Sequence, residues 1–171
     1  MVELISAGLT EVGTSDIADG AVTAPKLDSG ATWKFLGETI LTGAGTNLAV
    51  ASLPAYKYLM GIWKIEPAAA GTHLFKFNDD SGANYDYVWT ALRASRDVGS
   101  AAAATGIATI GNTEFEMSGV FYITNDPALQ KQMWWNGYFN VGAESHLVGV
   151  GNWANTADSI SKIDYVYSAN M

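Results

Sequence analysis

Few residues in this chain have the types and spacing that chemistry needs. Glu114 and Glu116 stand two apart in strand-like sequence, so they share a face about 7 Å apart by strand rise. That separation overlaps the spacing of the paired carboxylates of a glycosidase. Alternating glutamates are also what a solvated strand carries. The loop 78–86, "NDDSGANYD", gathers Asn78, Asp79, Asp80, Asn84 and Asp86, oxygen ligands of the kind calcium takes. It lacks the spacing and closing glutamate of an EF-hand. A hairpin turn, with Asp and Asn bonding the backbone and Gly82 at positive φ, accounts for the same residues. His73 and His146 are the only histidines, both in strand-like sequence, and there is no cysteine, which removes disulfides and thiolate sites. No HExxH, GxSxG or phosphate-cradling glycine loop is present. Gly149 and Gly151 in "GVGNWANT" lack the following helix that a dinucleotide site requires. These residues imply no enzyme, no cofactor and no metal site.

The aromatic residues carry more information. Six tryptophans, at 33, 63, 89, 134, 135 and 153, are many for 171 residues. Trp134 and Trp135 are adjacent, so in a strand they face opposite sides. One can enter a core, while the other must meet a second sheet, a neighbouring subunit or solvent. Trp and Tyr are enriched at protein interfaces, and an exposed indole is also a stacking platform for a sugar ring. Trp134, Trp135, Trp153 and Tyr85 are the candidates for one or the other use.

These side chains need strands to position them. Apolar residues make up 49% of the chain and charged residues 15%, with a net charge of -8. An acidic balance is unsuited to nucleic acid, where a basic face supplies the affinity. No run of 18 apolar residues is present, so no membrane-spanning helix is expected. The opening "MVELISAGLTEVG" lacks the basic start of a signal peptide, which points to folding in a cytoplasm. Short aromatic and β-branched runs alternate with turn clusters from residue 33 onward. They predict strands at Trp33–Glu38, Thr46–Leu53, Lys57–Glu66, Thr72–Asn78, Tyr85–Arg93, Thr105–Gly111, Thr113–Thr124, Lys131–Val141, His146–Ala154 and Ser159–Ser168. In "HLFKFND", His73, Phe75 and Phe77 share one face; in "KIDYVYS", Ile163, Tyr165 and Tyr167 do. "DPALQKQ" predicts one helical turn capped by Asp126, and "GSAAAATG" a loop or an edge strand. The expected fold is all-β, an antiparallel, jelly-roll-like sandwich of about 8–10 strands over 33–171, preceded by an extended N-terminal arm, 1–32.

The arm lacks aromatics and cannot build a core of its own, so docking or self-pairing must order it. Ile17, Val22 and Leu27 recur every five residues within "IADGAVTAPKL". This stretch resembles the "I-x-D-G-A-V-T-x-x-K-L" element of tail fibres and other appendage proteins of tailed bacteriophages, matching at Ile17, Asp19–Thr23, Lys26 and Leu27. "HLFKFNDDSGANYDYVW" is similar to a strand–turn–strand element, "F-N-x-D-x-G-x-N-Y", of small phage structural domains. Phe77, Asn78, Asp80, Gly82, Asn84 and Tyr85 match that pattern, and "GNWANTADSISKIDYVYSAN" looks like the closing strands of such domains. The resemblance covers about half of the chain. It implies a virion component assembled in the host cytoplasm, a head fibre, decoration protein or short tail fibre that forms a homotrimer. Its arm, through Ile17, Val22, Lys26 and Leu27, would hold a capsid or tail protein. The alternative it leaves open is a lectin-like module that recognises host surface glycans.

Overall fold

The structure, a computed structural model, describes residues 34–41, 45–92, 96–113, 116–140 and 144–168. Ile17, Val22, Lys26, Leu27, Trp33 and Glu114 lie outside the described residues. The chain divides into two units, Met1–Leu36 and Gly37–Met171, and the strands among the described residues lie in the second.

The ten strands among the described residues are β1 (Asn47–Val50), β2 (Tyr58–Ile65), β3 (Gly71–Phe77), β4 (Tyr85–Leu92), β5 (Arg96–Ala104), β6 (Ile107–Thr113), β7 (Met117–Thr124), β8 (Lys131–Asn140), β9 (Glu144–Trp153) and β10 (Ile163–Tyr167). They form a four-stranded sheet, β1-β10-β3-β6, and a six-stranded sheet, β2-β7-β8-β9-β4-β5, antiparallel throughout. The pairs β4·β5, β3·β6, β2·β7 and β1·β10 nest inside one another, as when a long hairpin is wrapped around a core. That nesting is the jelly roll, with one elaboration: the β7–β8–β9 meander stands where a single seventh strand would suffice.

Period-two patterning places the side chains. In β3, Gly71, His73, Phe75 and Phe77 are buried and the residues between them are half-buried. The two sheets pack through aromatic rings. Trp63 meets Phe75 edge-on at 5.6 Å, Phe121 meets Phe75 at 5.0 Å, and Trp153 lies 5.8 Å from Phe77. One row on the inner face of the large sheet reads Gly61–Phe121–Trp135–Gly149–Trp89–Gly99 across all six strands. Each ring there has a glycine directly opposite on a neighbouring strand. A Cβ at Gly61 would sit 2.1 Å from the Phe121 ring, at Gly149 2.1 Å from Trp135, and at Gly99 2.3 Å from Trp89. The glycines are slots for rings too wide to stand beside another side chain.

Three expectations need correction, while the Ala-rich stretch takes one of its two expected forms, an edge strand. Residues 34–41 have no regular structure, so the strand expected at 33–38 is not formed there. "DPALQKQ" is a turn and not a helical one. Asp126 does cap it, its Oδ1 accepting from the Ala128 amide at 3.0 Å, but Lys131 and Gln132 already pair in β8. The Ala-rich stretch is β5, at the edge of the large sheet. Positive φ in the 78–86 loop falls on Asn78 (53°) and Asp79 (60°), and not on Gly82. Asn and Asp enter the left-handed region more readily than other non-glycine residues, and here partners distant in the chain hold them there. Asn78 Oδ1 accepts from the Ser161 and Lys162 amides at 2.8 and 3.0 Å.

Candidate functional site

The chemically suggestive residues serve the fold. In the acidic loop each group has its own partner. Asp79 pairs with Lys162, and Asp86 Oδ1 accepts from the Ala103 amide at 2.9 Å. Asp80 accepts from Trp153 Nε1 at 2.6 Å, from Asn84 Nδ2 at 3.0 Å and from the Gly82 amide at 2.8 Å. Burial pushes the Asp80 carboxyl up, but these hydrogen bonds outweigh it and hold the group below the usual carboxylate range. Among the described residues no group of three or more His, Cys, Asp or Glu is placed to hold a metal. Glu116 is half-exposed and pairs with Lys64 at 3.0 Å, which also meets Glu66 at 3.0 Å. His73 is a core residue, its Nδ1 2.9 Å from the Tyr165 hydroxyl and its ring 4.3 Å from that of Tyr167. His146 is exposed on β9.

Three of the four aromatic candidates are corrected by their burial. Tyr85, Trp135 and Trp153 are enclosed within the single chain, so none can meet a sugar or a second subunit. Tyr85 closes the 78–86 turn: its hydroxyl accepts from the Phe77 amide at 2.9 Å, and burial raises it to about 12. Trp153 stacks on Tyr85 at 6.3 Å and 14°. Lys131, which the sequence did not single out, lies buried over Trp153. Its Nζ donates to the carbonyls of Asn155, Leu129 and Pro127 at 2.7, 3.1 and 3.4 Å, while burial lowers the ammonium's pKa against the pull of Asp158 and Asp126. Inversion along the strand explains the Trp pair: Trp135 enters the core and Trp134 is 46% exposed.

Trp134 is not alone. Among the described side chains, the even-numbered residues of β2, β4, β7, β8 and β9, and those of β5 from Arg96 to Ser100, point away from the core, and the registers align them in rows across the six-stranded sheet. One row reads Met60–Tyr122–Trp134–Val150–Val88–Ser100, and the next Ile62–Val120–Asn136–Val148–Thr90–Val98. The flanking rows are polar or mixed: Tyr58–Thr124–Gln132–Asn152–Asp86 on one side, and Lys64–Ser118–Tyr138–His146–Leu92–Arg96 on the other. Ten of the fourteen exposed large hydrophobic residues among those described lie on this one face, with Ile62 80% exposed. Exposed apolar residues scattered singly need no explanation, but a contiguous band does. Trp134 stacks on Tyr122 at 5.1 Å and 18°, which takes one face of its ring. The signal for this band is in the sequence: "YLMGIWKI" and "KQMWWNGYFN" do not alternate apolar with polar, as a sheet with one wet face should.

A second concavity, of about 440 Å³, is lined by Thr39, Ile40, Leu41, Leu48 and the Lys64–Glu66 strand end. The Lys64 and Glu66 side chains there form an exposed ion pair at 3.0 Å. Comparison with family models, with curated proteins and with solved structures finds no match for this chain.

Proposed function

We propose that this chain is a non-enzymatic structural protein of a bacteriophage particle. Its N-terminal arm, with Ile17, Val22, Lys26 and Leu27, fixes it to a capsid or tail protein, and its jelly-roll sandwich is displayed outward as a homotrimer. The single observation that supports an assembly role best is the apolar band across the outer face of the large sheet, a surface suited to protein cover. The arm's likeness to the phage appendage element supports the particle as its setting. Burying three aliphatic side chains of the arm on a partner is worth roughly 5–8 kcal/mol before ordering costs. Three arms on one trimer add to one another's hold through effective concentration.

The test is incorporation. Full-length protein and a form lacking residues 1–30 are added to particles that lack this chain. The truncated form stays folded and fails to join. Equal incorporation of both would refute attachment through the arm.

A second reading is a lectin-like module for host glycans. Half-exposed Trp134 favours it, and Tyr122 against one ring face weakens it. Glycan-array binding that disappears in Trp134→Ala would establish that reading.

A further inference from the structure

We propose that the outer face of the six-stranded sheet is the surface through which copies of this chain hold one another. The proposal rests on the assembly reading above and adds the surface and its occupant. Six strands about 4.8 Å apart and four rows about 6.8 Å apart give a footprint of about 29 by 27 Å, roughly 780 Å². A stable interface takes about 800 Å² from each partner, so this one face has the size the contact needs.

The distribution of residue types matches as well. The two central rows hold Met60, Tyr122, Trp134, Ile62 and five valines beside the uncharged Asn136, Thr90 and Ser100, with no formal charge, while Lys64, Arg96 and Asp86 stand on the outer rows. An apolar, charge-free centre inside a polar rim is the anatomy of a protein interface. Charge then selects the occupant. Each chain carries -8, so two copies repel through most of their surface. They can approach closely where the centre is neutral, as it is here. A basic partner would call for acidic side chains in these rows, and there are none. Breadth excludes a single docked strand or a short sugar, which would leave most of the band wet. Around the threefold axis of the proposed trimer, three copies of this face turn inward and cover one another across all six strands.

The experiment is sedimentation of the full-length chain at micromolar concentration, beside Ile62→Lys, Val150→Lys and the control Leu129→Lys. Ile62 and Val150 are exposed on the band, and Leu129 is exposed on the turn before β8. All three should keep the wild-type circular dichroism. The wild type and Leu129→Lys are expected to sediment as an oligomer of the 18.1 kDa chain. Each band variant should shift to monomer, with at least a tenfold weaker association. A wild type that is monomeric at tens of micromolar overturns the proposal. So does an oligomer that survives in both band variants. A wild type that oligomerises through the band yet fails to join particles would instead refute the display reading and leave this one standing.

Discussion

Gly149→Ala is the sharpest probe of how the core is built. Gly149 lies on the inner face of β9, opposite Trp135 of β8. An added Cβ would stand 2.1, 2.4 and 2.7 Å from Cζ2, Cε2 and Cη2 of that ring. Trp135 is 2% exposed, so the indole cannot swing aside into solvent, and the backbone must part or the ring must leave its rotamer. Overpacking of this kind costs about 1–3 kcal/mol. A 2.1 Å approach to a ring that cannot move puts the cost in the upper half of that range, about 2–3 kcal/mol. The loss of unfolded-chain freedom on replacing Gly by Ala returns about 0.4–1 kcal/mol, so the net cost is about 1–2.6 kcal/mol. At about 4 °C per kcal/mol for a domain of this size, the melting temperature should fall by roughly 4–10 °C. Thermal unfolding at fixed protein concentration, followed by tryptophan fluorescence, reads the change. Trp135→Leu is costly alone because it leaves a cavity. In the Gly149→Ala background its cost should shrink by about 0.5–3 kcal/mol, since the two changes act on one contact. An unchanged melting temperature in Gly149→Ala, or strict additivity in the double variant, would refute the ring-over-glycine account.

The remaining predictions concern polar anchors. Asp80→Ala leaves the buried Trp153 N–H without its acceptor and should cost about 1–3 kcal/mol in chemical denaturation. Because the folded Asp80 carboxyl is held below its ordinary value, its contribution is complete above about pH 4 and is lost as pH falls through the folded value. Asp80→Asn should therefore flatten the acid limb of the stability profile, and an unaltered limb would count against the assignment. Lys131→Met removes three carbonyl contacts while keeping the chain length, and should speed hydrogen exchange in residues 125–131 and 154–158 ahead of the sheet. Slower or unchanged exchange there would contradict its role as an anchor. The acidic loop holds its turn through protein partners, so EDTA should leave the melting temperature unchanged, and a fall restored by calcium would overturn that reading.

Much of the architecture is legible from residue types. Nine of the ten expected strands overlap observed ones because aromatic and β-branched runs are bounded by turn residues, as in "HLFKFNDDSGANY". The exception, at 33–38, shows the limit of local propensity: "WKFLGE" reads as a strand, yet residues 34–41 pair with no neighbour as one. β5 was hard to read for the opposite reason, since "RDVGSAAAA" has poor strand propensity and is held by its register with β4. Period two gives opposite faces for Trp134 and Trp135 without saying which face is inside. The neighbouring glycines decide it. Gly149 opposite Trp135 leaves room for the ring, a pairing visible only once strand order and register are known. The apolar band needs the same knowledge, because Met60, Trp134 and Val88 come from three strands, β2, β8 and β4, that are not consecutive in the chain.

A density map of intact particles that carry this chain tests the central claim most directly. The account predicts residues 1–32 laid on a capsid or tail protein and the sandwich projecting outward, with Met60, Trp134 and Val150 buried against other copies of the same chain. A map in which that sheet face lies bare to solvent, or in which the sandwich and not the arm contacts the particle, would contradict it.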